Sequence, residues 1–433
     1  MNAQGWGRYP RVQAEILRPL SSAATAAQVM AEGELIARGM GRSYGDSALA
    51  GRLLDVGHLD LLQDFDAHTG LLRCEAGVTL DTLLKIFVPR GWFPLVTPGT
   101  RFITVGGAIA SDVHGKNHHV DGCFSEAVES FTLLLGDGSQ VTCSREEHAD
   151  LFFATCGGMG LTGVILDARL RLRPICSAYV EQKTFKAGNL AEAIALFETH
   201  RQATYSVAWI DCLARGDALG RALVMVGEHA ADGQLWLPEP QALSVPLDMP
   251  AFLLNRYSVQ AFNGVYYSRV RQRVSQQRQT YRTFFYPLDG IEHWNRLYGR
   301  NGFVQYQLVI PREAGLEGMG AIMRRIAESG RGSFLAVLKL LGEANSNLLS
   351  FPLRGYTLAL DFKMEPGLFA LLEALDAMVA DYGGRLYLAK DARMGEAFFK
   401  RGYPQWQAFQ EIRARYAALG KFSSLQSRRL GLD

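Results

Sequence analysis

The 433-residue chain is short of cysteine, of net charge and of long apolar runs. Its six cysteines, Cys74, Cys123, Cys143, Cys156, Cys176 and Cys212, form no C-x-x-C pair. That scatter argues against a disulfide framework, and against zinc or iron–sulfur clusters, which need clustered ligands. Buried free thiols are the expectation. Lys and Arg number 45 against 43 Asp and Glu, a formal charge of +2. So close a balance lacks the basic excess that a nucleic-acid partner usually demands. No run of about 18 apolar residues occurs, so no membrane span is expected. Residues 1–11 are polar and contain Gly5, Gly7 and Pro10, unlike the basic-then-apolar start of a secretory signal. The expected compartment is the cytoplasm.

Glycine is plentiful: 45 residues, against an average share of about 7%. The glycines gather at Gly33–Gly51, Gly99–Gly122 and Gly157–Gly163. Between them, Leu80, Leu83, Leu84, Phe87 and Val88 fall at helical spacing before Gly91. Val128–Leu135 and Thr162–Leu172 read as strands, the second alternating apolar and polar residues. After Pro174 glycine thins and aromatics become common. Phe303–Ile310, Ser333–Leu341 and Tyr356–Phe362 read as strands and Glu365–Tyr382 as a helix ending at Gly383. A short strand over Arg385–Ala389 and a helix around Trp406, Phe409 and Ile412 complete the pattern.

Gly39-Met40-Gly41-Arg42-Ser43-Tyr44-Gly45-Asp46 follows a short strand, Glu34–Ala37. Successive exposed amides in such a loop make an anion-binding nest. The spacing is one residue too long for the dinucleotide fingerprint, and no helix follows at once. Gly158, Gly160 and Gly163 do spell G-x-G-x-x-G, but a helix-like segment precedes them and a strand follows. The fingerprint requires the reverse order. The richest stretch, Thr97–His119, holds small residues, backbone donors, Asp112, His114, His118 and His119. Lacking further Cys or carboxylate ligands, it suits an active-site loop against a flat cofactor better than a metal.

Between Met249 and Leu288 there is no Asp or Glu but six Arg, namely Arg256, Arg269, Arg271, Arg273, Arg278 and Arg282, interleaved with Tyr and Phe. This reads either as a surface for a lipid phosphate or as a solvated basic loop or helix face.

The stretches Gly39–Asp46, Pro98–His119, Gly157–Gly163, Gln305-Tyr306-Gln307, Leu338-Lys339-Leu340 and Leu386–Asp391 span most of the chain. Together they resemble the FAD-binding family typified by vanillyl-alcohol oxidase. Within it they resemble the branch of decaprenylphosphoryl-β-D-ribose 2′-epimerase oxidase subunits, to which His114-Gly115-Lys116-Asn117-His118-His119 is specific. The resemblance implies an α+β fold: a bipartite PCMH-type FAD-binding domain and a substrate cap domain with a central antiparallel sheet. The implied boundaries are 1–174 for the FAD domain, 175–384 for the cap, and 385–433 for a return to the FAD domain. The cofactor would be held by Gly39, Gly41, Arg42, Ser43, Tyr44 and Gly45, by Gly99, Thr104, Gly106, Gly107, Ser111 and His114, and by Ile165 and Tyr387. Tyr44, Gln305, Gln307, Lys339 and Lys390 would meet the substrate.

Two departures stand out against the family. A histidine often carries covalent FAD in the first glycine loop; Arg42 stands there, which implies non-covalent FAD. Thr357 and Ala359 replace an asparagine and a cysteine expected at the substrate face.

The implied reaction oxidises a secondary alcohol of a sugar to a ketone, at C2 of a polyprenylphosphoryl-β-D-ribose-like substrate. A separate NAD(P)H-dependent short-chain reductase would complete an epimerisation, and the basic stretch would touch the membrane. The alternative is an FAD-dependent oxidase or dehydrogenase of a free polyol, aldonolactone or hydroxy acid. A non-catalytic flavoprotein-like subunit is a third reading. Catalysis would fall to Lys390, as a positive charge by the flavin or a ligand of the substrate oxygen. His114 would accept the hydroxyl proton or only pack against the ring. On residue type alone, Lys390 would pass for a surface lysine.

Overall fold

The computed structural model describes residues 1–238 and 243–433; residues 239–242, within the expected cap, lie outside the described residues. The architecture is α+β and rests on three main sheets.

A small parallel sheet orders Glu15–Leu17, Arg52–Asp55 and Ile36–Arg38. An antiparallel sheet follows in the order Gln140–Ser144, Val128–Leu134, Val164–Pro174, Leu71–Glu75 and Leu62–Asp66. Leu80–Phe87 is a helix capped by Thr79, whose hydroxyl accepts the Thr82 amide. Its buried face is Leu80, Leu83, Leu84 and Phe87, as the spacing predicts. A 3₁₀ turn carries it to Gly91, which takes the left-handed conformation.

The third sheet has eight strands. In spatial order they are Val274–Thr280, Tyr179–Ala187, Ala222–His229, Tyr205–Ile210, Ala336–Leu341, Gly355–Lys363, Phe303–Pro311 and Arg385–Leu386. All pairings are antiparallel. The helices Gly315–Ser329 and Leu368–Asp381 bury apolar stripes on its outer side, the latter through Leu371, Leu372, Leu375 and Val379. The inner side faces the glycine loops.

The C-terminal segment crosses back to the first sheets. The fully buried Arg413 donates to the carbonyls of Leu161 and Phe422, and Gln426 donates to Leu388. Burying a guanidinium is costly unless its donors are satisfied, so Arg413 fastens these layers only because backbone carbonyls, the Gln410 amide oxygen and the Asp433 carboxylate surround it.

Three local expectations change. The strand foreseen over Arg385–Ala389 stops at Leu386. There the chain turns, and the amides of Lys390 and Asp391 donate to the Tyr387 carbonyl at 3.0 and 3.1 Å. The Thr97–His119 stretch is more than a loop. Thr104 caps a short helix, Val105–Ala110, by accepting the Gly107 amide. Of the cysteines, all free, Cys176 is exposed and the other five are buried. No helix among the described residues is long and apolar enough to cross a membrane.

Candidate active site

One cavity of about 1320 Å³ lies between the glycine loops and the inner face of the eight-stranded sheet. Pockets for drug-sized ligands run to about 1,000 Å³, so this one has room for a large cofactor and a second molecule. Every residue expected to hold the cofactor or meet the substrate lines it except Gly45, and of the pair expected at the substrate face Ala359 lines it and Thr357 does not.

Gly45 has a different task. A Cβ there would come within 1.7 Å of the Asp391 carbonyl oxygen, so the first glycine loop packs directly on the C-terminal turn. The Tyr44 amide donates to the Ala389 carbonyl at 3.2 Å, and Arg429 bridges Asp46 and Asp391 at 2.7 and 2.9 Å. These contacts fix the two strips of chain that carry Tyr44 and Lys390.

The loop wall presents backbone. Gly41 sits at φ +62°, with the Arg38 guanidinium in the space a Cβ would need. Arg38 itself donates to the carbonyls of Ala48 and Gln4. The backbone N–H groups of Met40, Gly41, Arg42 and Ser43 donate to no acceptor among the described residues. Four free amides on a glycine loop that borders a cavity form a nest for an anion such as a pyrophosphate. This donor set fits FAD. Arg42 stacks on the Trp6 ring at 4.1 Å and approaches Phe102 at 5.3 Å. Gly160, Gly163 and Ile165 border the same cavity, so the reversed G-x-G-x-x-G turn contributes wall even though it is no Rossmann motif.

The sheet wall presents side chains. Gln305 and Gln307 share one face of their strand, opposite Asp361 and Ala359 respectively. Asp361 accepts Gln305 Nε2 at 2.6 Å and the Tyr298 hydroxyl at 3.4 Å. Burial pushes its carboxyl up to about 7, against the pull of Gln305 and of Lys390. Lys390 Nζ stands 4.0 Å from the centre of the Tyr44 ring. Burial lowers its ammonium to about 7, while Asp361 raises it and Lys339 lowers it further. Burial alone brings Lys339 to about 8.

His114 lies 3.0 Å from Gln307 Nε2 and packs against Tyr387 and Phe351. Burial holds it well below the usual imidazole range, and Lys339, His118 and Lys390 push the same way. It is neutral at physiological pH. The Tyr387 hydroxyl is occupied by the Ser111 carbonyl at 2.8 Å.

The remaining groups of the dense loop are structural. His118 Nδ1 accepts the Gly342 amide and His119 meets the Ala203 carbonyl. Asp112 turns away from the cavity and accepts Asn345, Asn347, Ser350 and the Ser125 amide. Lys116 Nζ donates to the carbonyls of Phe284 and Phe285. Thr357, expected at the substrate face, is instead fully buried. Its hydroxyl receives Gln307 and donates to the Leu308 carbonyl, and only Ala359 of that pair reaches the cavity.

Asp361, Tyr298 and Trp6 went unnoticed in the sequence. Asp361 carried a readable signal: it alternates with Thr357 and Ala359 along one strand, which places all three on one face. Trp6 and Tyr298 carried none.

A family model described as an FAD binding domain matches residues 21–144. The chain is 38% identical to the decaprenylphosphoryl-β-D-ribose oxidase of Mycolicibacterium smegmatis, over 99% of this chain and 97% of that one. It is 34% identical to an uncharacterised protein of Streptomyces coelicolor, over 82% of this chain and all of the other. A 29% match to human Δ24-sterol reductase covers 39% of this chain and 32% of that enzyme. The chain therefore belongs to the PCMH-type FAD-binding oxidoreductase family that includes decaprenylphosphoryl-β-D-ribose oxidase, and its cofactor is FAD.

Proposed function

We propose that the protein oxidises C2 of a polyprenylphosphoryl-β-D-ribose-like substrate to the ketone, as the first half of a two-protein epimerisation. A separate NAD(P)H-dependent short-chain reductase would complete it. The observation that carries this reading is the single cavity joining the four free loop amides to Lys390, Gln305, Gln307 and Lys339. Similarity to the mycobacterial oxidase over nearly the whole chain supports it.

Bound FAD supplies the acceptor for the hydride that leaves the carbinol carbon. The loop amides of residues 40–43, with Gly99, Thr104, Gly106, Gly107 and Ser111, would hold it. Arg42, engaged with the Trp6 ring, offers no nucleophile for a covalent link, so acid precipitation should release the flavin into the supernatant.

Lys390 is the proton acceptor in this reading. An amine at about 7 is partly neutral at physiological pH, so Nζ can take the hydroxyl proton. The ammonium so formed is favoured by the nearby charge of Asp361 and gives positive charge where negative charge develops. His114, deprived of solvent by burial and close to Lys339 and Lys390, is a poor base; it orients Gln307. Gln305 and Gln307 bind sugar hydroxyls, and Lys339 binds the phosphate. The domain division at 174/175 and 384/385 follows the same reading: the second half supplies the sheet wall, and residues 387–391 bring Lys390 into the cavity between the two walls.

Membrane contact fits one strip of surface. Helix Arg256–Ser268 exposes Tyr257 at 78% and Val265 at 73%, next to Phe252 at 73%. Arg256, Arg271 and Arg273 are exposed there too. Arg278 is occupied by Asp232 and Glu181, and Arg282 donates to the Pro238 carbonyl. Apolar side chains with adjacent cations suit an anionic lipid surface.

The test is product analysis. Holoprotein, polyprenylphosphoryl-β-D-ribose and an artificial acceptor should yield a C2 ketone, which borodeuteride traps as a pair of C2-labelled epimers. Oxidation of free polyols or lactones, with the phosphoryl ribose untouched, would replace this reading with the alternative.

A further inference from the structure

The cavity does not end at the polar cluster. From Lys339 it continues across the eight-stranded sheet as an arm floored by Val337, Val207, Trp209, Leu223 and Met225. The register makes this floor continuous. Val337 pairs with Trp209, Trp209 with Leu223, and Val207 with Met225, so one face of three adjacent strands is apolar. Phe262 and Tyr266, one turn apart on helix Arg256–Ser268, form the roof, with the Tyr266 ring 4.7 Å from that of Trp209.

Both ends are polar, and differently so. At the far end Gln182 donates to Thr184 at 2.7 Å and accepts from Gln279, so those groups are satisfied among themselves. At the near end stands Lys339, two residues from Val337 on the same strand face. Its ammonium lines the cavity and has no hydrogen-bond or ion-pair partner among the described residues. A buried, unpaired cation is unfavourable by itself and calls for an anion. The order along the cavity is thus hydroxyl-binding amides, the unpaired Lys339 ammonium, then the apolar floor.

We infer that this arm binds the hydrocarbon chain of a lipid-linked sugar phosphate, with the phosphate at Lys339 and the first isoprene units between the sheet and the Phe262–Tyr266 face. The inference rests on the lipid-linked substrate proposed above. Adjacent strands lie about 4.8 Å apart, so the path from Lys339 to Thr184 covers about 10–15 Å. It takes the units next to the phosphate and directs the rest of the chain outward past Phe262, which is 43% exposed at the roof.

The experiment compares two synthetic substrates on the FAD-loaded protein: the methyl and the farnesyl ester of β-D-ribofuranosyl 1-phosphate. Anaerobic flavin bleaching gives kcat/KM for each. The farnesyl ester should exceed the methyl ester by at least about tenfold, because it buries several methylene groups. Met225→Gln should remove most of that advantage and leave the methyl ester unchanged. Val207→Thr, which conserves shape, should do the same in smaller measure and serves if Met225→Gln does not fold. Calorimetric titration with farnesyl phosphate should show tight binding to the wild type and weakened binding to both variants. Equal kcat/KM for the two esters, or a variant that slows both alike, overturns the arm while leaving the lipid-linked sugar reading intact. Bleaching by neither ester overturns that reading, and the arm falls with it.

Discussion

The two walls of the cavity differ in what they are made of. The loop wall works through backbone: free amides of Met40–Ser43, close contact between Gly45 and Asp391, and a helix start capped by Thr104. The sheet wall, joined by Lys390 from the C-terminal turn and His114 from the Thr97–His119 stretch, works through side chains whose charge is set by burial: Lys339, Asp361, Lys390 and His114. A backbone wall tolerates no added Cβ at its tightest contacts but is indifferent to charge. A side-chain wall keeps its shape under conservative substitution but loses its chemistry.

That contrast can be broken in graded steps. The largest effect should come from Gly45→Val. With only 1.7 Å between a Cβ and the Asp391 carbonyl oxygen, the loop must leave the C-terminal turn; the protein should purify without flavin and melt several degrees lower. Gln307→Leu should keep the flavin and lower kcat/KM by about ten- to a hundredfold, since it removes a donor to His114 and one expected for the sugar. Asp361→Asn should act on pH dependence. The Asp361 carboxylate raises Lys390, so removing it lowers the lysine. Because neutral Lys390 is the active form, the acid limb of the kcat/KM profile, near pH 7 in the wild type, should move to lower pH. A move to higher pH would contradict the role. The smallest effect belongs to the outer surface. Arg273→Gln should weaken binding to anionic vesicles severalfold, by about 1 kcal/mol for the cation lost, and leave turnover of a short-chain ester unchanged.

The same contrast governs how much could be read from sequence. Helix Leu80–Phe87 and strands Val128–Leu134, Val164–Pro174 and Phe303–Pro311 were legible because a buried face imposes its period on the residues. The glycine loops announced a backbone wall. Which glycine borders the cavity and which packs on distant chain was not legible: Gly45 meets a residue almost 350 positions away. Lys390 looked like a surface lysine because burial depends on where residues 387–391 return, a long-range matter. Asp112 and Thr357 show the reverse. Both stand in chemistry-rich stretches, yet their partners are structural, Asn345, Asn347 and Ser350 for one and the Leu308 carbonyl for the other.

The measurement that bears most directly on the account compares wild type with Lys390→Ala under anaerobic titration with the lipid-linked ribose. Both proteins should purify with a full flavin spectrum, because the loop wall is intact. Only the wild type should bleach at a measurable rate, the variant being slower by about a hundred- to ten-thousandfold. A variant that bleaches as fast as the wild type would contradict the assignment of the chemistry to the buried side chains of the cavity.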